Sequence, residues 1–83
     1  MAELFKLPLI LSAQPEGGYV VTSPILPELV TEGETIEQAL DNVRDALEAV
    51  IEIYEDQGRE LPAHLRQDPA SSPIWFESVV ARP

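Results

Sequence analysis

Residues 35–58 read TIEQALDNVRDALEAVIEIYEDQG, and the spacing inside this stretch decides the fold. Ile36, Leu40, Val43, Leu47, Val50 and Tyr54 recur at alternating steps of four and three. That places all six on one side of a helix with 3.6 residues per turn. Ala39, Ala46, Ile51 and Ile53 widen the stripe, so the helix is expected to lie on a sheet rather than along a narrow seam. Both ends carry signals. Thr35 is a good N-cap, and Gln38 three residues later completes a capping box with it. Glu34 and Glu37 suit the positive end of the helix dipole, and Gly58 is placed to take the left-handed stop conformation.

The opposite side of the same helix is acidic. Glu37, Asp41, Asp45, Glu48, Glu52, Glu55 and Asp56 line it, and Arg44 is the only cation between Thr35 and Gly58. Asp41 with Asp45, Glu48 with Glu52, and Glu52 with Asp56 are like-charge pairs at the four-residue spacing, each mildly destabilising. Glu52, Glu55 and Asp56 also approach the negative end of the dipole. Any one of these carboxylates is ordinary solvated surface. Their repeated unfavourable placement points to a docking face for a basic partner, with Glu37, Asp41, Asp45, Glu48 and Glu52 as its residues.

Composition narrows the function classes. At 83 residues the chain can build one small core. It has no cysteine, which removes disulfides and thiolate metal sites, and a single histidine, His64. The start of the chain does not read as a signal peptide, and no apolar run reaches the ~20 residues that cross a bilayer. A cytoplasmic protein is expected. Five Lys and Arg against fifteen Asp and Glu give a net charge of −10. Phosphate contacts need cations, so direct nucleic-acid binding is not expected, nor is binding to an acidic membrane surface.

Outward from the helix, the remaining segments read as strands. Over Leu4–Ser12, Phe5, Leu7, Leu9 and Leu11 alternate with Leu4, Lys6, Pro8, Ile10 and Ser12, and Pro8 demands a free edge or a bulge. Gln14–Gly18 is a turn, Tyr19–Ser23 a second strand, and Leu29–Glu32 a short third one. Pro24-Ile25-Leu26-Pro27 reads as an interruption. After Gly58 the chain turns to loop, including Ser71 and Ser72, before a last strand over Ile74–Ala81. The expected architecture is α+β: a β-β-β-α-β order with one long helix on one face of a four-stranded mixed sheet. The uncovered face would expose Ile10 and one of Trp75 and Phe76. That patch predicts self-association into a homodimer or tetramer.

Catalytic constellations are not evident. A nucleophile relay needs a base, and only His64, in a proline-flanked loop, could serve. A strand-strand-strand-helix-strand order is also how a ribonuclease H-like nuclease begins, and such enzymes clamp two metals with a carboxylate on the first strand. Leu4–Ser12 holds no Asp or Glu, and Glu48 with Glu77 would not suffice. No catalytic residue, metal ligand or cofactor site is expected.

Glu16-Gly17-Gly18-Tyr19-Val20-Val21, the run Pro24 to Thr35, and Glu37-Gln38-Ala39-Leu40-Asp41-Asn42-Val43 with Ala46-Leu47 together resemble the HicB antitoxin family. The match covers residues 4–62, and residues 1–83 are expected to be a single HicB-like domain. The chain departs from the family pattern at Ile25 and Glu28, where Asp and Gly are usual. The resemblance implies a partial ribonuclease H-like fold without nuclease activity. It also implies an antitoxin that binds and neutralises a small basic HicA-like toxin that cleaves mRNA. Many relatives add a C-terminal DNA-binding domain, which is not expected here. The alternative is an orphan homo-oligomeric module that binds a small ligand or regulates on the same scaffold.

Overall fold

The computed structural model describes residues 3–63, 65–68, 73–80 and Arg82. Five strands and one helix follow in the order β1 (Leu4–Phe5), β2 (Ile10–Ala13), β3 (Tyr19–Thr22), β4 (Val30–Gly33), α1 (Ile36–Asp56) and β5 (Arg66–Gln67). The architecture is α+β, in keeping with a partial ribonuclease H-like fold. β2, β3 and β4 form an antiparallel sheet in that order, and β1 pairs antiparallel with β5 in a separate ladder.

The helix matches its sequence signals at both ends. Thr35 Oγ1 accepts a hydrogen bond from Gln38 N at 3.1 Å, and Gln38 Oε1 accepts from Glu34 N at 2.6 Å. The capping box therefore closes one residue ahead of the cap itself. At the other end Gly58 has φ +63°, Gly58 N donates to Glu55 O and Arg59 N donates to Tyr54 O. This paired closure satisfies two carbonyls that the helix leaves open.

Ala39, Val43, Val50 and Tyr54 are buried, with Ala46 and Leu47 packed against the core from its margin. Ile53, expected to widen the stripe, is 41 % exposed. The antiparallel sheet has three short strands instead of four, so the flank of the stripe has less to lie on. Gly33 sets how closely the helix approaches. A Cβ there would collide with the backbone N and Cα of Ala39, so only glycine lets the end of β4 meet the first turn of α1. Asn42 Nδ2 then donates to Glu32 O at 2.7 Å, tying the helix to the outer side of β4.

Three differences from the sequence expectations have physical causes. Pro8 splits the first strand into β1 and β2, as a residue without an N–H donor does. The two-residue alternation survives the break, and Phe5, Leu7, Leu9 and Leu11 all pack on the core. Second, the segment 24–29 supplies core. Leu26 and Leu29 are fully buried, joined by a β-turn in which Leu29 N donates to Leu26 O and Pro27 takes the position that suits its fixed φ. Third, residues 74–80 form no strand, and the ladder after the helix is made by Arg66–Gln67 instead. Leu65, just before it, is fully buried, and Leu65 O accepts from Lys6 N at 2.8 Å. The fourth sheet strand is thus absent among the described residues. His64, Ser71, Ser72 and Ala81 lie outside the described residues.

Candidate functional site

An α-helix advances about 100° per residue, so Glu37, Asp41, Asp45, Glu48 and Glu52 fall within an arc of roughly 80°. The structure brings these five together as one ridge. All five are exposed, on the side of α1 away from Val43 and Val50. Arg44 beside them is exposed too. The ion pairs found among the described residues are Arg59–Glu28 and Arg66–Glu3, so none involves the ridge. The last turn of α1 contains no basic residue either. Arg44 offsets only part of the ridge's field, and the excess of carboxylates is the condition under which a surface attracts an oppositely charged partner.

At the C-terminal end a second cluster joins the helix to the 24–29 segment. Tyr54 Oη donates to Glu28 Oε1 at 2.9 Å, Arg59 Nη1 donates to Glu28 Oε2 at 3.2 Å, and the Arg59 guanidinium lies 4.2 Å from the Tyr54 ring centroid. The turn 26–29 aims Glu28 at Tyr54, and the helix stop at Gly58 swings Arg59 back over the ring. A hydrogen bond from its own backbone N–H, then one from Tyr54, holds the Glu28 carboxyl below the ordinary glutamate range, and Arg59 adds to the effect. Burial, followed by the bond to Glu28, pushes the Tyr54 hydroxyl up. No sequence motif announced this cluster, because its members are 26 and 31 residues apart. Glu28, where the family pattern has Gly, was the one signal available.

The residues expected to self-associate belong to different kinds of segment. Ile10 is 50 % exposed on the sheet face turned away from α1, whereas Trp75 and Phe76 are 77 % and 75 % exposed in the segment without regular structure. Glu48 stands on the helix and Glu77 in that exposed segment. Among the described residues no three His, Cys, Asp or Glu side chains converge as metal ligands would, and no helix is long and apolar enough to cross a membrane. A shallow cleft of about 330 Å³ opens between Gly17-Gly18 and the helix start, where Glu32 and Glu34 line it. A second, of about 370 Å³, lies beside Tyr54, Arg59 and Pro62.

No protein-family model matches the chain. Curated relatives do. Antitoxin HicB 1 of Photorhabdus laumondii is 36 % identical over 77 residues, covering 90 % of this chain and 50 % of that protein. Antitoxin HicB of Escherichia coli K12 is 35 % identical over 57 residues, covering 69 % of this chain and 41 % of that one. The chain thus spans half the length, or less, of these antitoxins. UPF0150 protein Ta0767 of Thermoplasma acidophilum is 35 % identical over 57 residues and is covered to 83 % of its length. With similarity to named HicB antitoxins and to a relative matched over most of its length, the chain belongs to the HicB-like antitoxin family.

Proposed function

We propose that the chain is the partner-binding module of a toxin–antitoxin system, and that it binds and neutralises a small basic HicA-like toxin without catalysing a reaction itself. The observation that carries this reading is the ridge formed by Glu37, Asp41, Asp45, Glu48 and Glu52. Its like charges weaken the helix, and one cation, Arg44, stands among five carboxylates with no ion pair to them among the described residues. A basic toxin docked along the ridge would relieve that repulsion and have its own cationic surface covered. A toxin that handles RNA must present cations to phosphate, and those are the groups a carboxylate ridge occupies. The names of the relatives support an antitoxin role, and the −10 charge supports a protein partner over a nucleic-acid one.

Calorimetric titration with a purified small basic HicA-like toxin tests the proposal. Binding at low salt that weakens steeply as salt is raised is expected, since exposed charges are screened. Failure to bind at any salt would contradict it.

A further inference from the structure

The sheet and the segment after it each lack what the other has. Ile74-Trp75-Phe76-Glu77-Ser78-Val79-Val80 has the alternation and the β-branched and aromatic content of a strand, but it enters no ladder. Trp75, Phe76, Val79 and Val80 are 77 %, 75 %, 53 % and 81 % exposed, an apolar run that water would not leave uncovered. The sheet for its part has one edge open. Gln14 N donates to Gly18 O, and antiparallel pairing alternates from there, so Ser12–Val20 and Ile10–Thr22 are the hydrogen-bonded pairs. Leu11 and Ala13 then direct their backbone groups to the outer edge of β2, where no strand among the described residues pairs with them. The β4 edge is different, because Asn42 already occupies Glu32 O.

We propose that residues 74–80 of one copy add as a strand to the outer edge of β2 of a second copy, the exchange being reciprocal in a homodimer. The direction of the chain favours exchange over self-pairing. β5 runs antiparallel to β1, with Arg66 opposite Phe5 and Gln67 opposite Leu4. The chain therefore leaves that ladder heading away from β2. To place Ile74 beside its own Ile10 it would have to reverse and cover about 20 Å of strand, whereas seven residues span about 25 Å at full stretch. Little remains for the turn.

Charge selects the same contact. Two copies of a −10 chain repel through their helices, while the open sheet face, with Ile10, Val20 and Val30, carries Glu32 alone and the 73–80 segment carries Glu77 alone. A strand from outside also satisfies the open backbone groups of β2, the recognition mode by which exposed sheet edges commonly take up extended segments. It supplies from a second copy the fourth strand that the sequence pattern contains. This proposal is independent of toxin binding, which uses the other side of the molecule.

The test exploits two features of composition: the chain has one tryptophan, Trp75, and no cysteine. The wild type should sediment as a dimer at tens of micromolar, and Trp75 emission should shift to the blue on concentration. Mixing a Ser12→Cys protein with a Ser78→Cys protein and adding a short bis-maleimide should give a covalent dimer. The double variant Val79→Asp/Val80→Asp should be monomeric with an unchanged far-UV spectrum. A monomeric wild type would overturn the proposal. So would a failure of the two single-cysteine proteins to cross-link to each other, or a dimer that survives the two aspartates.

Discussion

On one side of α1, Ala39, Val43, Val50 and Tyr54 are buried against the sheet and the 24–29 turn. On the other, five carboxylates stand exposed without an ion pair among the described residues. The same 21 residues thus meet two different requirements. Burial is local and unforgiving: Gly33 leaves no room for a methyl group, and Leu26, Leu29 and Leu65 have no exposed surface at all. Beyond Glu37 at the positive end of the dipole, the acidic side has no ion pair among the described residues, and its repeated like-charge pairs cost a few tenths of a kcal/mol each. Burial thus lies on one side of the helix axis and the proposed recognition on the other, and substitutions on the two sides should read out differently.

The largest effect should come from the buried side. Leu26→Ala should lower stability by about 2–5 kcal/mol, since the cavity sits at the centre of the core. Leu47→Ala, on the half-buried margin of the stripe, should cost clearly less. Chemical denaturation compares the two, and equal losses would show that the helix seats differently on the sheet. Gly33→Ala follows at about 2–3 kcal/mol, because the added methyl meets helix backbone that cannot rotate away. An unchanged melting temperature for that variant would contradict the close approach of β4 and α1.

A smaller effect belongs to the Glu28 cluster and depends on pH. The folded-state value of Glu28 lies below its ordinary 4.5, so its stabilisation is present above about pH 4.5 and is lost as pH falls through the folded value. Tyr54 has the opposite sign. Its folded-state value lies above the ordinary 10.0, so its contribution is present below pH 10 and is lost as pH rises through the folded value. Glu28→Gln should therefore melt lower than wild type at pH 7, with the gap narrowing as the pH is taken well below 4.5. A gap that stays constant with pH would mean that Tyr54 and Arg59 do not recognise the charge on Glu28.

What could be read from the sequence divides along similar lines. The helix, its caps, the hairpin around Gly17-Gly18 and the alternation from Phe5 to Leu11 are local patterns, and the structure reproduces them. The acidic ridge needs only helical spacing and was equally legible. Leu26 and Leu29 were hidden because prolines mark a break in hydrogen bonding, which says nothing about whether the flanking leucines point inward. Leu65 and β5 were hidden by brevity, since a two-residue ladder has no periodicity to detect. The strand expected over Ile74–Ala81 does not form in its described residues, 74–80, for the reverse reason. Propensity is a property of the segment, whereas pairing needs an edge within reach, and β5 turns the chain away from the open one.

The central claim is that the ridge serves recognition and not folding. The direct measurement pairs two readings on one variant, Asp41→Asn/Asp45→Asn/Glu48→Gln/Glu52→Gln. Its melting temperature should equal or slightly exceed that of the wild type, because like-charge repulsion along the helix is relieved. Its affinity for the HicA-like toxin should fall at least tenfold, with the salt dependence of binding largely gone. A variant that melts normally and binds the toxin as tightly as wild type would contradict the account, and the ridge would then be solvated surface alone.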